Sequence, residues 1–169
     1  MSGLASVRVQ APSTDESLMH EALAEARRGA LTGEVPVGAV VVVEGRVVGR
    51  AHNRPIEDAD PTAHAEILAL RQAARAAGNY RLTDATLYAT LEPCAMCCGA
   101  ALNARIARLV YGASDPKAGA VESLYRLLDD PRWNHRVTIE RGVLASECGA
   151  VLKAFFESRR LRGGVAEPG

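Results

Sequence analysis

Two short stretches, each at the start of a predicted helix, constrain this chain more than any other part of its sequence. They are His64-Ala65-Glu66 and Pro93-Cys94-Ala95-Met96-Cys97. Cys94 and Cys97 are three positions apart, so their sulfur atoms lie on one face of a first helical turn. Pro93 suits a helix start, where its missing N–H group costs nothing. Because the free N–H groups and the helix dipole favour thiolate over thiol, the second stretch predicts a pair of metal-binding thiolates.

A zinc ion is the metal that best fits these side chains. His64 supplies a neutral nitrogen ligand beside the two thiolates, and three protein ligands leave a fourth position for water. That open position is typical of a catalytic zinc site rather than a structural one. Two thiolates formally cancel the charge of the ion, so the ion acidifies its water less than a site with three histidines would. A nearby proton acceptor is therefore needed, and we predict that Glu66 is that acceptor.

Each motif has a simpler interpretation when it is taken alone. A single His-x-Glu pattern is usually structural, and a single Cys-x-x-Cys pattern is often redox-active or simply buried. The two patterns together are far more specific for a catalytic zinc. Cys98 is an alternative to Cys97 as a ligand, although it lies about 100° further round the helix. We expect Cys98 and Cys148 to be small buried hydrophobic residues.

The remaining pattern of the chain predicts one α/β domain. We expect a flexible tail at 1–13, a folded domain at 14–162 and a second flexible tail at 163–169. Ser13 and Glu16 form a capping-box pattern at the start of the first helix. A hairpin followed by alternating strands and helices predicts a mixed sheet with helices on both faces. The predicted helices are 15–28, 62–77, 94–103, 121–128 and 144–161, and the predicted strands are 37–43, 46–50, 86–90, 109–112 and 137–140.

Composition excludes several classes of protein. The chain has 20 basic and 20 acidic residues, which excludes a protein that coats nucleic acid with a strongly basic surface. A local RNA-binding patch is not excluded. No apolar segment approaches the length of a membrane-spanning helix, and the N-terminal segment lacks the apolar core of a signal peptide. Three of the four cysteines lie within 94–98, which favours metal ligands in a reducing compartment over a disulfide scaffold. We therefore expect a cytoplasmic protein without a membrane anchor.

Longer stretches of the sequence extend the two motifs. They are 34–40, 53–55, 60–67, 79–82, 91–94, 111–117 and 134–137. His-x-Glu followed by Pro-Cys-x-x-Cys is the signature of the zinc nucleobase deaminases. With the longer stretches included, the sequence resembles the bacterial tRNA-specific adenosine deaminases, which belong to the cytidine deaminase-like superfamily. This resemblance extends from about residue 18 to about residue 160 and leaves out both tails.

The resemblance carries expectations for fold, chemistry and partners. It implies a three-layer α/β/α sandwich around a five-stranded mixed sheet, in agreement with the pattern-based prediction. It implies a homodimer with one zinc ion per subunit, acting on a tRNA anticodon loop. The implied reaction is hydrolytic conversion of adenosine to inosine at wobble position 34, usually in an arginine tRNA. It assigns the metal to His64, Cys94 and Cys97 and the proton transfers to Glu66.

The resemblance also implies residues that bind the substrate. Asn53 would hydrogen-bond the purine ring, and Asp115 and Lys117 would lie in a loop against the anticodon nucleotides. Two alternatives remain open for these positions. Asn53 also suits a turn before Arg54-Pro55, and Asp115-Pro116 is itself a common turn sequence.

The C-terminal helix and the overall function leave further alternatives. Phe155 and Phe156 are adjacent and point in different directions, so we expect one in the core, and the resemblance implies that the other lines the pocket for an extruded base. A cationic cluster in the same helix is either a phosphate-facing patch or a solvated helix end. It comprises Lys153, Arg159, Arg160 and Arg162. The competing functions are a free-base or nucleoside deaminase and a non-enzymatic RNA-binding module whose zinc has a fourth protein ligand.

Overall fold

The computed structural model describes residues 14–163, which form a five-stranded sheet between two pairs of helices. No helix within this part of the chain combines the length and the apolar character needed to cross a bilayer. The elements in chain order are α1 (Asp15–Leu31), β1 (Gly38–Val43), β2 (Arg46–His52), α2 (Ala65–Ala77), β3 (Thr86–Leu91), α3 (Ala95–Ala104), β4 (Arg108–Ala113), β5 (Thr138–Arg141) and α4 (Ala145–Gly163).

The sheet is mixed, with the strand order β2-β1-β3-β4-β5. β1 pairs antiparallel with both β2 and β3, whereas β4 pairs parallel with both β3 and β5. Helices α2 and α3 pack together on one face of the sheet, and α1 and α4 pack together on the other. The predicted three-layer α/β/α sandwich around a five-stranded mixed sheet is thus confirmed.

The sequence of strand β1 does not alternate between polar and apolar residues because the strand is covered by helices on both faces. Ala39 and Val41 belong to the core shared with α2 and α3, whereas Val40 and Val42 belong to the core shared with α1 and α4. Successive side chains of a strand point to opposite faces, so a strand covered on both faces needs apolar residues throughout. The prediction of a strand buried on both faces is confirmed.

Two predicted helix starts differ from the structure. The N-cap of α1 is Thr14, whose Oγ1 accepts a hydrogen bond from the Ser17 N–H at 3.1 Å. Ser13, the first residue of the predicted capping box, lies outside the described residues. Helix α2 begins at Ala65 rather than at 62, because the Asp60 carboxylate accepts both the N–H and the hydroxyl of Thr62 and forms a turn there.

The short helix predicted at 121–128 is absent, and turns and bends take its place. The N–H groups of Val121, Glu122 and Ser123 all donate to one carboxylate oxygen of Glu92, at 2.8–3.2 Å. In a helix over 121–128 the N–H of Leu127 would donate to the Ser123 carbonyl oxygen, but it donates to that of Ala120, at 3.0 Å. At the other end of the domain Gly163, expected to begin a tail, is the last residue of α4. The rest of both predicted tails lies outside the described residues.

Gly38 permits the close approach of α1 to β1. A Cβ atom at this position would lie 1.9 Å from the Ala22 carbonyl oxygen and 2.6 Å from the Ala26 nitrogen. Because both atoms belong to the backbone of α1, no side-chain rotation relieves the clash. We expect Gly38→Ala to lower the free energy of unfolding by about 3 kcal/mol in urea denaturation. The control Gly149→Ala, in an open part of α4, should cost nothing, and equal stabilities of the two variants would contradict this account.

Candidate active site

The structure brings His64, Cys94 and Cys97 together where two helices begin. His64 is the N-cap residue of α2, Cys94 is the N-cap residue of α3, and Cys97 lies in the first turn of α3. Neither N-cap side chain makes a capping hydrogen bond to its own helix. Nδ1 of the imidazole and the two sulfur atoms all lie within 4.8 Å of one another. The three predicted ligands therefore form one compact group.

The distances within this group fit a zinc ion. His64 Nδ1 lies 3.6 Å from the sulfur of Cys94 and 3.6 Å from the sulfur of Cys97. In a tetrahedral site with Zn–N near 2.0 Å and Zn–S near 2.3 Å, a nitrogen and a sulfur ligand are roughly 3.6 Å apart. Hydrogen bonding to Cys97, with a further contribution from His64, lowers the pKa of the Cys94 thiol to about 3, so Cys94 takes the ligating thiolate form.

Cys98 and Cys148 lie outside the ligand group. Cys98 is buried in the core beside α2, and its sulfur lies 3.7 Å from the Pro93 carbonyl oxygen. Cys148 is buried between α4 and the opposite face of the sheet. Both therefore occupy the positions expected of small hydrophobic residues, and Cys97 rather than Cys98 meets His64.

Glu66 is buried beside the ligand group. Burial raises the pKa of its carboxyl. The Cys94 thiolate also raises this pKa, whereas the nearby His64 lowers it. Its Oε2 atom has no hydrogen-bond partner among residues 14–163. A buried carboxylate oxygen without a partner costs stability, and such a cost is typical of a group kept for catalysis. A raised pKa suits a carboxyl that accepts a proton in one step and donates it in the next.

Asn53 follows β2 directly and is buried next to the start of α2. Its Oδ1 atom accepts a hydrogen bond from the Ala65 N–H at 2.9 Å, and its backbone N–H donates to the Val37 carbonyl oxygen. The side chain therefore links the end of β2 to the helix that carries His64 and Glu66. Since the carboxamide oxygen is engaged with Ala65, the amide NH₂ group is the donor that faces other partners.

Asp115 and Lys117 lie in the loop after β4, where they line a cleft of about 380 Å³. Oδ1 of Asp115 accepts the N–H groups of Lys117 and Ala118, at 3.0 and 3.2 Å. The turn interpretation of Asp115 is therefore correct, and it coexists with a position in the cleft wall. The rest of the lining is mostly apolar and comprises Val35, Leu91, Ser114, Pro116, Leu152 and Phe156.

The two phenylalanines of α4 differ from the expectation of one core residue. Phe156 is 46% exposed and lines the cleft, whereas Phe155 is only half-buried and packs edge-on against it, with ring centroids 5.5 Å apart. Arg159 covers the Phe155 ring at 4.8 Å and donates a hydrogen bond to the Gly33 carbonyl oxygen. At least one member of the cationic cluster is thus engaged with the protein itself.

Two buried glutamates, Glu34 and Glu92, were not identified as functional residues from the sequence. Glu34 accepts two backbone N–H groups, and Glu92 accepts four backbone N–H groups and one hydroxyl. Burial alone would raise the pKa of Glu92, but the hydrogen bonds from Ser123 and from the backbone lower it below its usual value. The available signal was a glutamate one or two positions before a proline at the end of a strand or next to one, as in Glu34-Val35-Pro36 and Glu92-Pro93.

Comparison with known proteins supplies close relatives. The family model for MafB19-like deaminases matches residues 13–160. The tRNA-specific adenosine deaminase of Haemophilus influenzae is 51% identical over 147 residues, which cover 86% of this chain and 85% of that protein. A solved structure from work on A-to-I editing by tRNA:A34 deaminases at the wobble position of transfer RNA is 50% identical. It has a TM-score of 0.77 and covers 80% of this chain and 98% of its own.

Guanine deaminases share the fold at lower sequence identity. The enzyme from Nitrosomonas europaea is 25% identical with a TM-score of 0.71, covering 90% of this chain and 93% of its own. Sequence identity to the tRNA deaminases is therefore about twice the identity to the guanine deaminase, over a comparable share of the chain.

Proposed function

Because the chain belongs to the family of tRNA-specific adenosine deaminases, we propose that it converts adenosine to inosine at wobble position 34 of an arginine tRNA. The observation that carries the proposal is the compact group of His64, Cys94 and Cys97 with the buried carboxylate of Glu66 beside it. Three ligands and an adjacent proton acceptor suit hydrolysis. The high identity to tRNA deaminases over most of the chain supports tRNA rather than a free base as the substrate.

We propose that His64, Cys94 and Cys97 hold one zinc ion per subunit. When bound, the ion supplies a Lewis acid that makes water nucleophilic at neutral pH. Glu66 then accepts the proton of the attacking water and donates it to N1 of adenine, and water and adenosine become inosine and ammonia. Asn53 orients the purine ring through its side-chain NH₂ group, while its oxygen keeps the side chain fixed to Ala65.

The cleft lined by the loop after β4 supports an RNA substrate. Its apolar wall includes Phe156, on which a base extruded from the loop can stack, and Lys117 at its edge supplies a cation for a phosphate group. The anticodon loop is single-stranded, so extrusion of the base costs a few kcal/mol or less. Asp115 contributes by fixing the turn that presents Lys117.

We further propose a cytoplasmic homodimer in which residues 14–162 form the catalytic domain and 1–13 and 163–169 are tails. Several large hydrophobic side chains support association because they are 48–69% exposed in the single chain. They are Ile56, Tyr80, Leu124, Tyr125 and Trp133.

The test compares an anticodon stem–loop with free nucleobases. The full chain is incubated with an arginine-tRNA stem–loop that carries adenosine at position 34, and the nucleosides are separated after digestion. We expect inosine at position 34 and no turnover of free guanine or cytosine. The control stem–loop carries guanosine at position 34 and should remain unchanged. Turnover of free guanine or cytosine, together with an unchanged adenosine stem–loop, would identify a free-base deaminase instead.

A further inference from the structure

We propose that Glu34 and Glu92 are positioning residues that hold the loop beginning at Asn53 and the loop carrying Asp115 and Lys117, and thereby set the affinity for the RNA substrate. The first loop is 53–64, between β2 and α2, and the second loop is 114–123, after β4. The inference rests on the proposed function in one respect, because it takes the substrate to be RNA. Neither glutamate belongs to the group of His64, Cys94 and Cys97.

Glu92 holds both ends of the second loop. Its side chain is 2% exposed, and it lies between the end of β3 and the first residues of the metal segment. Oε2 accepts the N–H of Asp115 at 2.9 Å and the hydroxyl of Ser123. Oε1 accepts the N–H groups of Val121, Glu122 and Ser123. A single carboxylate therefore closes this loop, which has no helix of its own.

The second loop is also attached to the segment that carries Cys94. The Ala120 N–H donates to the Pro93 carbonyl oxygen at 2.9 Å, and Gly119 forms an isolated β-bridge with Cys94. A Cβ atom on Gly119 would lie 2.3 Å from the Glu92 carboxylate, so the loop packs directly on this side chain. Movement of the Glu92 carboxylate would therefore move the turn that holds Asp115 and Lys117.

Glu34 holds the first loop in the same manner. It is 1% exposed, and its Oε1 atom accepts the N–H groups of Ile56 and Glu57 at 3.0 and 2.8 Å. This loop begins at Asn53, whose side chain is bonded to the start of α2. Both loops thus depend on a buried carboxylate that accepts neighbouring backbone N–H groups.

The sequence neighbours of the two glutamates connect these bonds to the cleft. Val35 follows Glu34, Leu91 precedes Glu92, and both apolar side chains line the cleft. Each glutamate is therefore the chain neighbour of a residue of the cleft wall. Hydrogen bonds to an ionised acceptor are short and strong, and a buried charge is costly unless such bonds compensate it. Glutamine has nearly the same volume as glutamate but carries a donor NH₂ group in place of one acceptor oxygen. A Gln variant therefore removes hydrogen bonds without creating a cavity.

The experiment measures kcat and KM on the adenosine-34 stem–loop for the zinc-loaded variants Glu34→Gln and Glu92→Gln. We expect KM to rise about tenfold or more, since each variant loses charge-assisted hydrogen bonds, whereas kcat and zinc content stay near their original values. Glu25→Gln is the matched control because Glu25 is also buried but pairs with Arg28 and His52 instead of either loop. Its KM should not change.

Ser123→Ala covers the case in which a Gln variant does not fold. It removes only the hydroxyl bond to Glu92, and we expect a two- to fivefold rise in KM, about the effect of one hydrogen bond. An original chain that is inactive on the stem–loop would overturn the proposed function and this inference with it. An active chain whose Gln and Ala variants keep the original KM, or lose kcat or zinc instead, overturns this inference alone.

Discussion

Replacement of Glu66 by alanine is expected to lower inosine formation on the stem–loop about a thousandfold, with zinc content and RNA affinity retained. The carboxylate is buried beside the three ligands, and its Oε2 atom has no hydrogen-bond partner in the described part of the chain. Because no protein group occupies this oxygen, it is available to accept the proton of the attacking water. Since alanine leaves the ligands unchanged, the loss should appear in kcat and not in KM.

Single-turnover kinetics at saturating enzyme separates this effect from substrate binding. Zinc stoichiometry and stem–loop affinity are measured on the same preparations. The control is Glu16→Ala, which removes an exposed carboxylate from the first turn of α1 and should leave kcat unchanged. Inosine formation at near-original rate by the Glu66→Ala variant would remove Glu66 from the mechanism and leave its burial without an explanation.

The fold was largely predictable because its elements have local signals. Strand β1 is an uninterrupted apolar run, and α2 ends at Gly78 in the left-handed conformation that its sequence indicates. The segment 121–128 shows the limit of such signals. Its own residues favour a helix, but the segment turns around the carboxylate of Glu92, which accepts three of its N–H groups and lies about thirty residues earlier in the chain. No local pattern contains that partner.

The same distinction applies to the candidate site. The group of His64, Cys94 and Cys97 was predictable because each stretch encodes its own helix start, and the helical phase favours Cys97 over Cys98. The roles of Glu34 and Glu92 were not predictable, because most of their partners are backbone N–H groups, which nearly every residue has. A buried acceptor of backbone hydrogen bonds becomes visible only when the loops are in place.

Cys97→Ala is expected to abolish both zinc retention and activity, whereas Cys98→Ala is expected to preserve both. Removal of one of three ligands should cost about a third of a zinc-binding energy near 12 kcal/mol, which corresponds to roughly a thousandfold in affinity. Cys98 packs in the core beside Pro93 and contributes no atom to the ligand group. Its replacement should cost only about 1 kcal/mol of stability through a small cavity.

Neighbouring cysteines make this pair of variants a strict comparison, because both side chains are fully buried and both variants remove one sulfur atom from α3. Zinc affinity is measured by competition with a chromophoric chelator, and unfolding in urea reports stability separately. If Cys98→Ala lost the zinc and Cys97→Ala retained it, the ligand assignment from helical phase and from the 3.6 Å distance to His64 would be wrong. Loss of zinc in Cys97→Ala alone ties the metal to the first turn of α3, which directly follows the segment that is bonded to the second loop through Glu92, Pro93 and Cys94.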